Sequence, residues 1–266
     1  MELTILVDNH TRTGEYYLGE PGLSYYIEDE DTRLLWDTGY SGIFSDNARK
    51  LGIDLEGIDA IVLSHGHSDH TGGLPRYFKD YHNPGLKIIA HPGALAPKYD
   101  DAGENFGCPL SLEALSQRAE IIATKSPCRI SPNITFLGEI GTYNDFEPRR
   151  PLGRTEAGAD TIPDDSALVY TTHRGIYVIT GCSHAGICNI VEAAKAVSGD
   201  NRVLGIVGGF HLFKADDRAE KTLAYFEANH IEALYPCHCT GFQARALFHS
   251  RFPVKFELGV GTVIRW

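Results

Sequence analysis

Long hydrophobic runs are absent from this chain of 266 residues, and so are the patterns of secretion and of disulfide frameworks. No stretch of about 20 apolar residues occurs, which argues against a membrane-spanning helix. The segment Met1–Val7 resembles a strand and has no basic and apolar leader before it, so we expect a cytoplasmic protein. The six cysteines show no framework spacing and no Cys-x-x-Cys pair, which predicts reduced thiols.

Positive charge is also scarce. Lys and Arg number 24 against 35 Asp and Glu, and the formal net charge is −11. A chain with this net negative charge is a poor general partner for nucleic acid or an anionic membrane. Bound metal ions would add local positive charge, so an anionic small-molecule substrate remains compatible with this composition. No feature of the sequence predicts an oligomeric state.

Strand and helix patterns alternate along most of the chain, which predicts an α/β or α+β fold with a sizeable core. Residues 91–160 are less regular, and we interpret them as an insertion that lies over the active site. The predicted strands are Leu3–Val7, Ser24–Glu28, Arg33–Trp36, Ile58–Leu63, Lys87–Ala90, Glu120–Thr124, Ile134–Leu137, Ala167–Thr171, Gly175–Thr180, Arg202–Val207, Ile231–Tyr235, Val254–Glu257 and Thr262–Arg265. The predicted helices are Ser45–Leu51, Leu74–Tyr81, Leu110–Arg118, Gly186–Val197, Asp216–Asn229 and Thr240–Ser250.

The densest polar cluster directly follows the predicted strand Ile58–Leu63 and contains His65, His67, Asp69 and His70. Side chains at i and i+2 of an extended segment point the same way, so His65 and His67 can meet one ion. Asp69 and His70 lie beyond the turn and face a second position. Such ligands suit zinc, iron or manganese. Solvated loop histidines are the alternative, but this density without a neutralising Lys or Arg favours a metal site.

Two later segments repeat the order of strand, polar turn and helix. One strand leads into Gly181-Cys182-Ser-His184, and another leads into Cys237-His238-Cys239. In each turn a histidine stands at the carboxyl end of a predicted strand, where α/β folds bind ligands. We therefore add His184 and His238 to the candidate metal ligands.

The motif His65-x-His67-x-Asp69-His70 resembles the signature of the metallo-β-lactamase superfamily. This resemblance implies a four-layer αβ/βα sandwich, formed by residues 1–266 as a single domain. Asp37, in Leu-Trp-Asp-Thr-Gly, matches the aspartate that supports the metal ligands without binding metal itself. His238 matches the last ligand histidine.

Three further segments narrow the resemblance: Gly-Cys-Ser-His-Ala-Gly-Ile, Gly-Gly-Phe-His-Leu and Pro-Cys-His-Cys-Thr-Gly. Together they resemble the branch named after 7,8-dihydropterin-6-methyl-4-(β-D-ribofuranosyl)aminobenzene-5′-phosphate synthase. Members of this branch occur widely, including where that pterin has no use, so the name need not carry the activity over.

The middle of the chain departs from the family pattern. Cys182 stands where the family has a bridging aspartate, and the upstream segment 161–165 contains no histidine. We infer that His184 replaces the missing histidine and joins His65 and His67 at one metal, while Asp69, His70 and His238 hold the second position. Cys182 is either a thiolate ligand or, as we favour from the sequence, a small buried residue beside the ligands. Without the bridging carboxylate, either one or two ions are compatible with the site.

These residues predict a metal-dependent enzyme of hydrolytic type that acts on a small substrate, phosphorylated substrates included. Asp69 would orient the attacking water, and His211 or the Cys182 thiol would serve the leaving group. His211 could instead be a histidine that only packs near the site. The alternatives for function are a transferase of the pterin type, which shares the site but uses no water nucleophile, and a metal-holding sensor or binding protein with little turnover.

Overall fold

The computed structural model describes residues 1–252 and 257–266. The chain divides into two compact units. Unit 1 contains residues 1–125, 151–164 and 258–266, and unit 2 contains residues 126–150 and 165–257. The formation of a single domain by residues 1–266 stays a prediction.

The strands are numbered along the chain. They are β1 Glu2–Val7, β2 Ser24–Asp29, β3 Thr32–Trp36, β4 Ala60–Val62, β5 Lys87–Ala90, β6 Glu120–Ala123, β7 Cys128–Arg129, β8 Ile134–Phe136, β9 Arg154–Thr155, β10 Gly158–Ala159, β11 Ala167–Thr172, β12 Gly175–Thr180, β13 Val203–Gly208, β14 Leu234–Pro236 and β15 Val263–Arg265.

The α-helices are numbered in the same way. They are α1 Ile43–Leu51, α2 Ser68–Thr71, α3 Leu74–Asp80, α4 Leu112–Ser116, α5 Ile187–Ser198, α6 Asp217–Ala228 and α7 Phe242–Arg251, and a 3-10 helix spans Pro92–Leu95. No helix within the described ranges combines the length and the apolar character that a membrane crossing requires.

Unit 1 is built on a sheet whose described strands have the order β15-β1-β2-β3-β4-β5-β6. Strands β1, β2 and β3 are antiparallel neighbours, whereas β3, β4, β5 and β6 run parallel. Phe44 of α1 and Tyr77 of α3 are buried in one cluster with Leu35 and Ile61 of the sheet. Because parallel neighbours end at the same edge of a sheet, the residues that follow β3 and β4 come together there.

Unit 2 is built on a second sheet, whose described strands have the order β14-β13-β12-β11-β8-β7. Strands β12, β13 and β14 run parallel, and β11 and β8 are antiparallel to their neighbours. Ile190 of α5 and Phe226 of α6 share a buried core with Val178 and Ile206 of the sheet. The turns after β12, β13 and β14 therefore open at one edge of this sheet.

The predicted elements within the described residues are present, and their ends differ by a few residues. The strand predicted at Ile58–Leu63 is limited to β4, and the helix predicted at Leu110–Arg118 is limited to α4. Helix α2 lies within the polar cluster and was not predicted. The strand predicted at Val254–Glu257 lies outside the described residues, apart from Glu257.

Residues 91–160 are more regular than the sequence predicts. They supply β6 to the sheet of unit 1, β7 and β8 to the sheet of unit 2, and the short pair β9 and β10. Their predicted location over the active site stays a prediction.

Candidate metal centre

The turn after β4 groups three potential ligands. His65, His67 and Asp69 each offer one donor atom, and these atoms lie within 4.8 Å of one another. His65 Nε2 lies 3.1 Å from His67 Nδ1, so the two imidazoles present different ring nitrogens to one region. Donor atoms about 2.0–2.3 Å from one ion are at most about 4.6 Å apart. The 3.1 Å between the His65 and His67 nitrogens lies inside this limit, and the chemistry of the three donors suits a metal ion.

Helix α2 gives this turn its shape. The backbone N–H groups of His70 and Thr71 both donate to His67 O, at 3.0 Å, which ends the extended backbone at His67. Asp69 and His70 consequently belong to a helical turn, and their side chains follow a different direction from those of His65 and His67. The Asp69 side chain is 33% exposed, whereas that of His70 is fully buried.

Asp37, directly after β3, holds the ring of His70. Its buried carboxylate accepts a hydrogen bond from His70 Nδ1 at 2.7 Å, and it also accepts from Ser64 N–H and Ser64 Oγ, both at 2.7 Å. Such contacts orient metal-binding histidines in many proteins. The contribution of Asp37 to metal binding stays a prediction.

The two buried histidines of this turn differ in their proton affinity. Burial lowers the pKa of His67 to about 4, so its imidazole is neutral near pH 7 and suited to metal binding. Burial also lowers the pKa of His70, but the carboxylates of Asp69 and Asp37 outweigh it and raise this pKa well above its ordinary value. In the metal-free chain the His70 imidazole is therefore protonated near pH 7.

In unit 2, the turns after β12 and β14 bring Cys182 next to His238. Both side chains are buried, and Cys182 Sγ lies 3.2 Å from His238 Nε2. The thiol of Cys239 donates to Cys182 O at 3.4 Å, so the second cysteine of the β14 turn contacts backbone. The structure thus groups a histidine and a thiol that the sequence had placed in two separate turns.

The turns after β12 and β13 bring His184 next to His211. Their ring centroids are 4.3 Å apart, and His211 also meets the exposed ring of Phe213 at 5.0 Å. Asp165 Oδ2 accepts a hydrogen bond from Ala185 N–H at 2.8 Å, which anchors the residue after His184. The assignment of His184 and His238 to particular metal positions stays a prediction.

Strained backbone marks these strand ends. Asp37, Ser183, His211 and His238 have positive φ values of 56°, 61°, 49° and 46°. Non-glycine residues in this region cost on the order of 1–3 kcal/mol each and persist where surrounding structure enforces them. Thr180 Oγ1 and Gly209 O, at 2.9 and 2.6 Å from Ser183 Oγ, are among the contacts that do so.

Several polar residues support the turn after β4 (residues 64–70, the ligand turn of unit 1) directly or through a partner, and most of them were missed by the sequence analysis. Ser64 binds Asp37 and lies 2.9 Å from His65 Nδ1, and its position directly after the predicted strand is a signal that could have identified it. Lys98 and Asp160 form a buried ionic group with Asp164. Lys98 and Asp160 belong to no motif, and the sequence carries no local signal for them.

Comparisons with known proteins agree on one family. A family model described as "Metallo-beta-lactamase superfamily" matches residues 17–200. The chain is 32% identical to the 7,8-dihydropterin-6-methyl-4-(β-D-ribofuranosyl)-aminobenzene-5′-phosphate synthase of Methanocaldococcus jannaschii, and the alignment covers 100% of this chain and 97% of that protein.

Solved structures show the same relationship. A metal-dependent hydrolase of the β-lactamase superfamily matches with a TM-score of 0.83 and 30% identity, covering 100% of this chain and 99% of the other. A diphosphatase from the PhnP family matches with a TM-score of 0.57 and 13% identity, covering 100% and 97%, and so shares the fold. The predicted fold class is confirmed.

Proposed function

Because the chain belongs to the metallo-β-lactamase superfamily, we propose that it is a metal-dependent enzyme of hydrolytic type that acts on a small substrate, phosphorylated substrates included. The observation that carries this proposal is the grouping of donor atoms from His65, His67 and Asp69 within 4.8 Å. Zinc is the proposed metal, as one or two ions, because imidazole and carboxylate ligands suit it; iron and manganese are the other candidates.

The proposed assignment of ligands is the one that the sequence predicts. His65, His67 and His184 hold one ion, and Asp69, His70 and His238 hold a second. Within unit 1 the proposal is supported by the short distance between the His65 and His67 nitrogens. Within unit 2 it is supported by the parallel strands β12 and β14, whose carboxyl ends carry the two histidines.

The protein side chains divide the work of the reaction. A bound metal ion would polarise a phosphoryl or carbonyl oxygen of the substrate and make water more acidic. The partly exposed Asp69 carboxylate accepts a hydrogen bond from the attacking water and orients it, while Asp37 keeps the His70 ring in place. His211, packed against His184, donates a proton to the leaving group.

A transferase of the pterin type is the second candidate. It is supported by the 32% identity to the M. jannaschii synthase over the whole chain. In this reaction the same residues would bind the electrophilic substrate, but an aromatic ring or an amine would attack in place of water.

A substrate screen on the metal-loaded protein tests the proposal. Phosphodiesters, thioesters, lactones and pterin pyrophosphates are offered with and without an acceptor amine, and metal content is measured in parallel. We expect hydrolysis without an acceptor, lost in His67→Ala and retained in His249→Ala, because His249 is exposed and belongs to none of the turns that carry the proposed ligands.

Other outcomes contradict the proposal in separate ways. Pyrophosphate release that requires the acceptor would favour the transferase, and saturable binding without turnover would favour a binding protein. Full metal content in His67→Ala would contradict the ligand assignment itself.

A further inference from the structure

A buried lysine lies behind the ligand turn of unit 1. Lys98 is 1% exposed, and its Nζ donates to Asp160 Oδ2 at 2.7 Å and to Asp164 Oδ1 at 2.8 Å. Both carboxylates are buried as well. Removing three charged side chains from water is costly even when they are paired. A buried ionic cluster of this kind therefore adds little net stability to the fold.

Asp164 connects this lysine to the ligand turn. Its second oxygen, Oδ2, accepts a hydrogen bond from Gly66 N–H at 2.8 Å, and Gly66 separates His65 from His67. Asp160 differs, because its second oxygen accepts from Ile162 N–H at 2.8 Å, within its own loop. Both carboxylates therefore bind Lys98, but only that of Asp164 also binds the ligand turn.

The aliphatic part of Lys98 also packs against the turn. A Cβ atom built on Gly66 would lie 2.8 Å from Lys98 Cε and 2.6 Å from Ala94 O, closer than such contacts allow. Glycine at this position thus permits a close approach of the lysine to the backbone. Gly66 is therefore restrained in two ways. Its N–H donates to Asp164, and Lys98 and Ala94 occupy the space that a side chain at this position would need.

We propose that Lys98 is a positioning residue: by holding Asp164, it fixes the Gly66 backbone and the separation of the His65 and His67 imidazoles, and thereby sets the affinity of the site for metal. This inference rests on the proposed metal-dependent function. Lys98 acts only through Asp164 and the backbone, since its ammonium group is bonded to the two carboxylates.

Three variants test this role: Lys98→Met, Asp164→Asn and, as the matched control, Asp160→Asn. Zinc affinity is measured by competition with a chromophoric chelator. We expect it to fall on the order of 10–100-fold in Lys98→Met and Asp164→Asn, the range found when supporting contacts of metal ligands are removed. Asp160→Asn removes a partner of the same lysine that does not touch the turn, so it should bind zinc like the parent.

Cobalt(II) absorption supplies a readout that a purely structural role would not change. The visible bands of the cobalt-loaded protein should shift in Lys98→Met and Asp164→Asn, because the imidazoles are displaced, and stay in place in Asp160→Asn. Thermal unfolding of all three variants records any loss of stability separately. If Lys98→Met does not fold, the comparison of Asp164→Asn with Asp160→Asn still tests the positioning role.

Unchanged zinc affinity and cobalt bands in Asp164→Asn would overturn the inference, and so would an equal loss in Asp160→Asn. A parent protein that binds no zinc would overturn the proposed function along with it. A parent that binds zinc, with variants that bind it equally well, would overturn the positioning role alone.

Discussion

At the scale of single residues, the ligand turn of unit 1 is supported by buried carboxylates, each of which accepts hydrogen bonds from several donors. Asp37 accepts from His70 Nδ1 and from Ser64, and Asp164 accepts from Gly66 and Lys98. A buried carboxylate with several donors is fixed in orientation, because each lost contact would leave an unsatisfied polar group. The candidate ligands are therefore held in place by protein contacts.

Replacing Asp37 by alanine should lower metal affinity on the order of 10–100-fold without unfolding the chain, because the His70 ring loses the partner that orients it. Zinc competition titration measures the effect, and circular dichroism checks the fold. Asp37→Asn is the matched control, since asparagine tolerates the positive φ and keeps one acceptor oxygen. Loss of the fold with intact metal affinity would contradict this role.

The structure changes which of the two roles of Cys182, a thiolate ligand or a small buried residue, is favoured. The sequence favours a small buried residue, but Sγ lies 3.2 Å from His238 Nε2, close to the spacing of about 3.5 Å for a thiolate and an imidazole on one tetrahedral ion. We therefore expect Cys182→Ser to lower metal stoichiometry and Cys182→Asp to retain it. Unchanged metal content in the serine variant would return Cys182 to a packing role.

At the scale of secondary-structure elements, helix α5 directly follows the turn that carries His184, and its first turn is capped from another segment. The buried Glu147 accepts from Cys188 N–H at 3.1 Å and from Asn189 N–H at 3.0 Å. A carboxylate at this end of a helix satisfies orphan N–H groups and interacts favourably with the helix dipole. Gly186, at φ 93°, leaves space for it, since a Cβ there would lie 2.5 Å from Glu147 Oε2.

Removing this cap should destabilise unit 2. We expect Glu147→Ala to reduce the free energy of unfolding by about 2–3 kcal/mol, because buried N–H groups lose a charged acceptor. Urea denaturation measures the change. Glu232→Ala, at an exposed position of the same unit, should change it by less than about 0.5 kcal/mol. Similar values for both variants would contradict the capping role.

At the scale of the whole molecule, the residues that support the candidate ligands of unit 1 come from segments that meet only when the chain is folded. Asp37 and Ser64 are 27 positions apart, and Gly66 and Asp164 are 98 positions apart. A metal ion that binds the folded chain in preference to the unfolded one stabilises it by mass action, by about 2.7 kcal/mol at a concentration 100 times the Kd. We therefore expect binding of the proposed metal to be coupled to folding.

The metal-free protein should lose stability in mild acid. The pKa of His67 is about 4 in the folded chain and 6.5 in its ordinary state, so the unfolded chain binds more protons between these values. His67 therefore does not reduce the free energy of unfolding above pH 6.5. As the pH falls toward 4, its protonation in the unfolded chain lowers this free energy by roughly 3 kcal/mol in all. Urea denaturation of the metal-free protein between pH 7 and 4 should show a flatter profile for His67→Gln, and parallel profiles would contradict the prediction.

The raised pKa of His70 acts in the opposite direction. Its pairing with Asp37 and Asp69 contributes stability that is complete below its unfolded pKa and is lost as the pH rises through the folded one. This contribution is common to the parent and to His67→Gln, so the difference between the two profiles reports on His67.

Local patterns in the sequence predicted the strands, the main helices and the polar turns that follow them. The grouping of His65 with His67 follows from their i, i+2 spacing at a strand end, which is a property of the backbone alone. Periodicity also predicted that His184 and His238 follow strands, and β12 and β14 agree. Family resemblance supplied the fold class, which periodicity left open between α/β and α+β.

Tertiary structure alone decided which distant side chains support those turns. No local pattern predicts the burial of Lys98, yet it is buried between Asp160 and Asp164, which lie 62 and 66 positions further along the chain. The proximity of Cys182 to His238 likewise spans 56 positions. Such contacts arise from the register of neighbouring strands and the packing of loops against them, and they leave no periodic signal in the residues themselves.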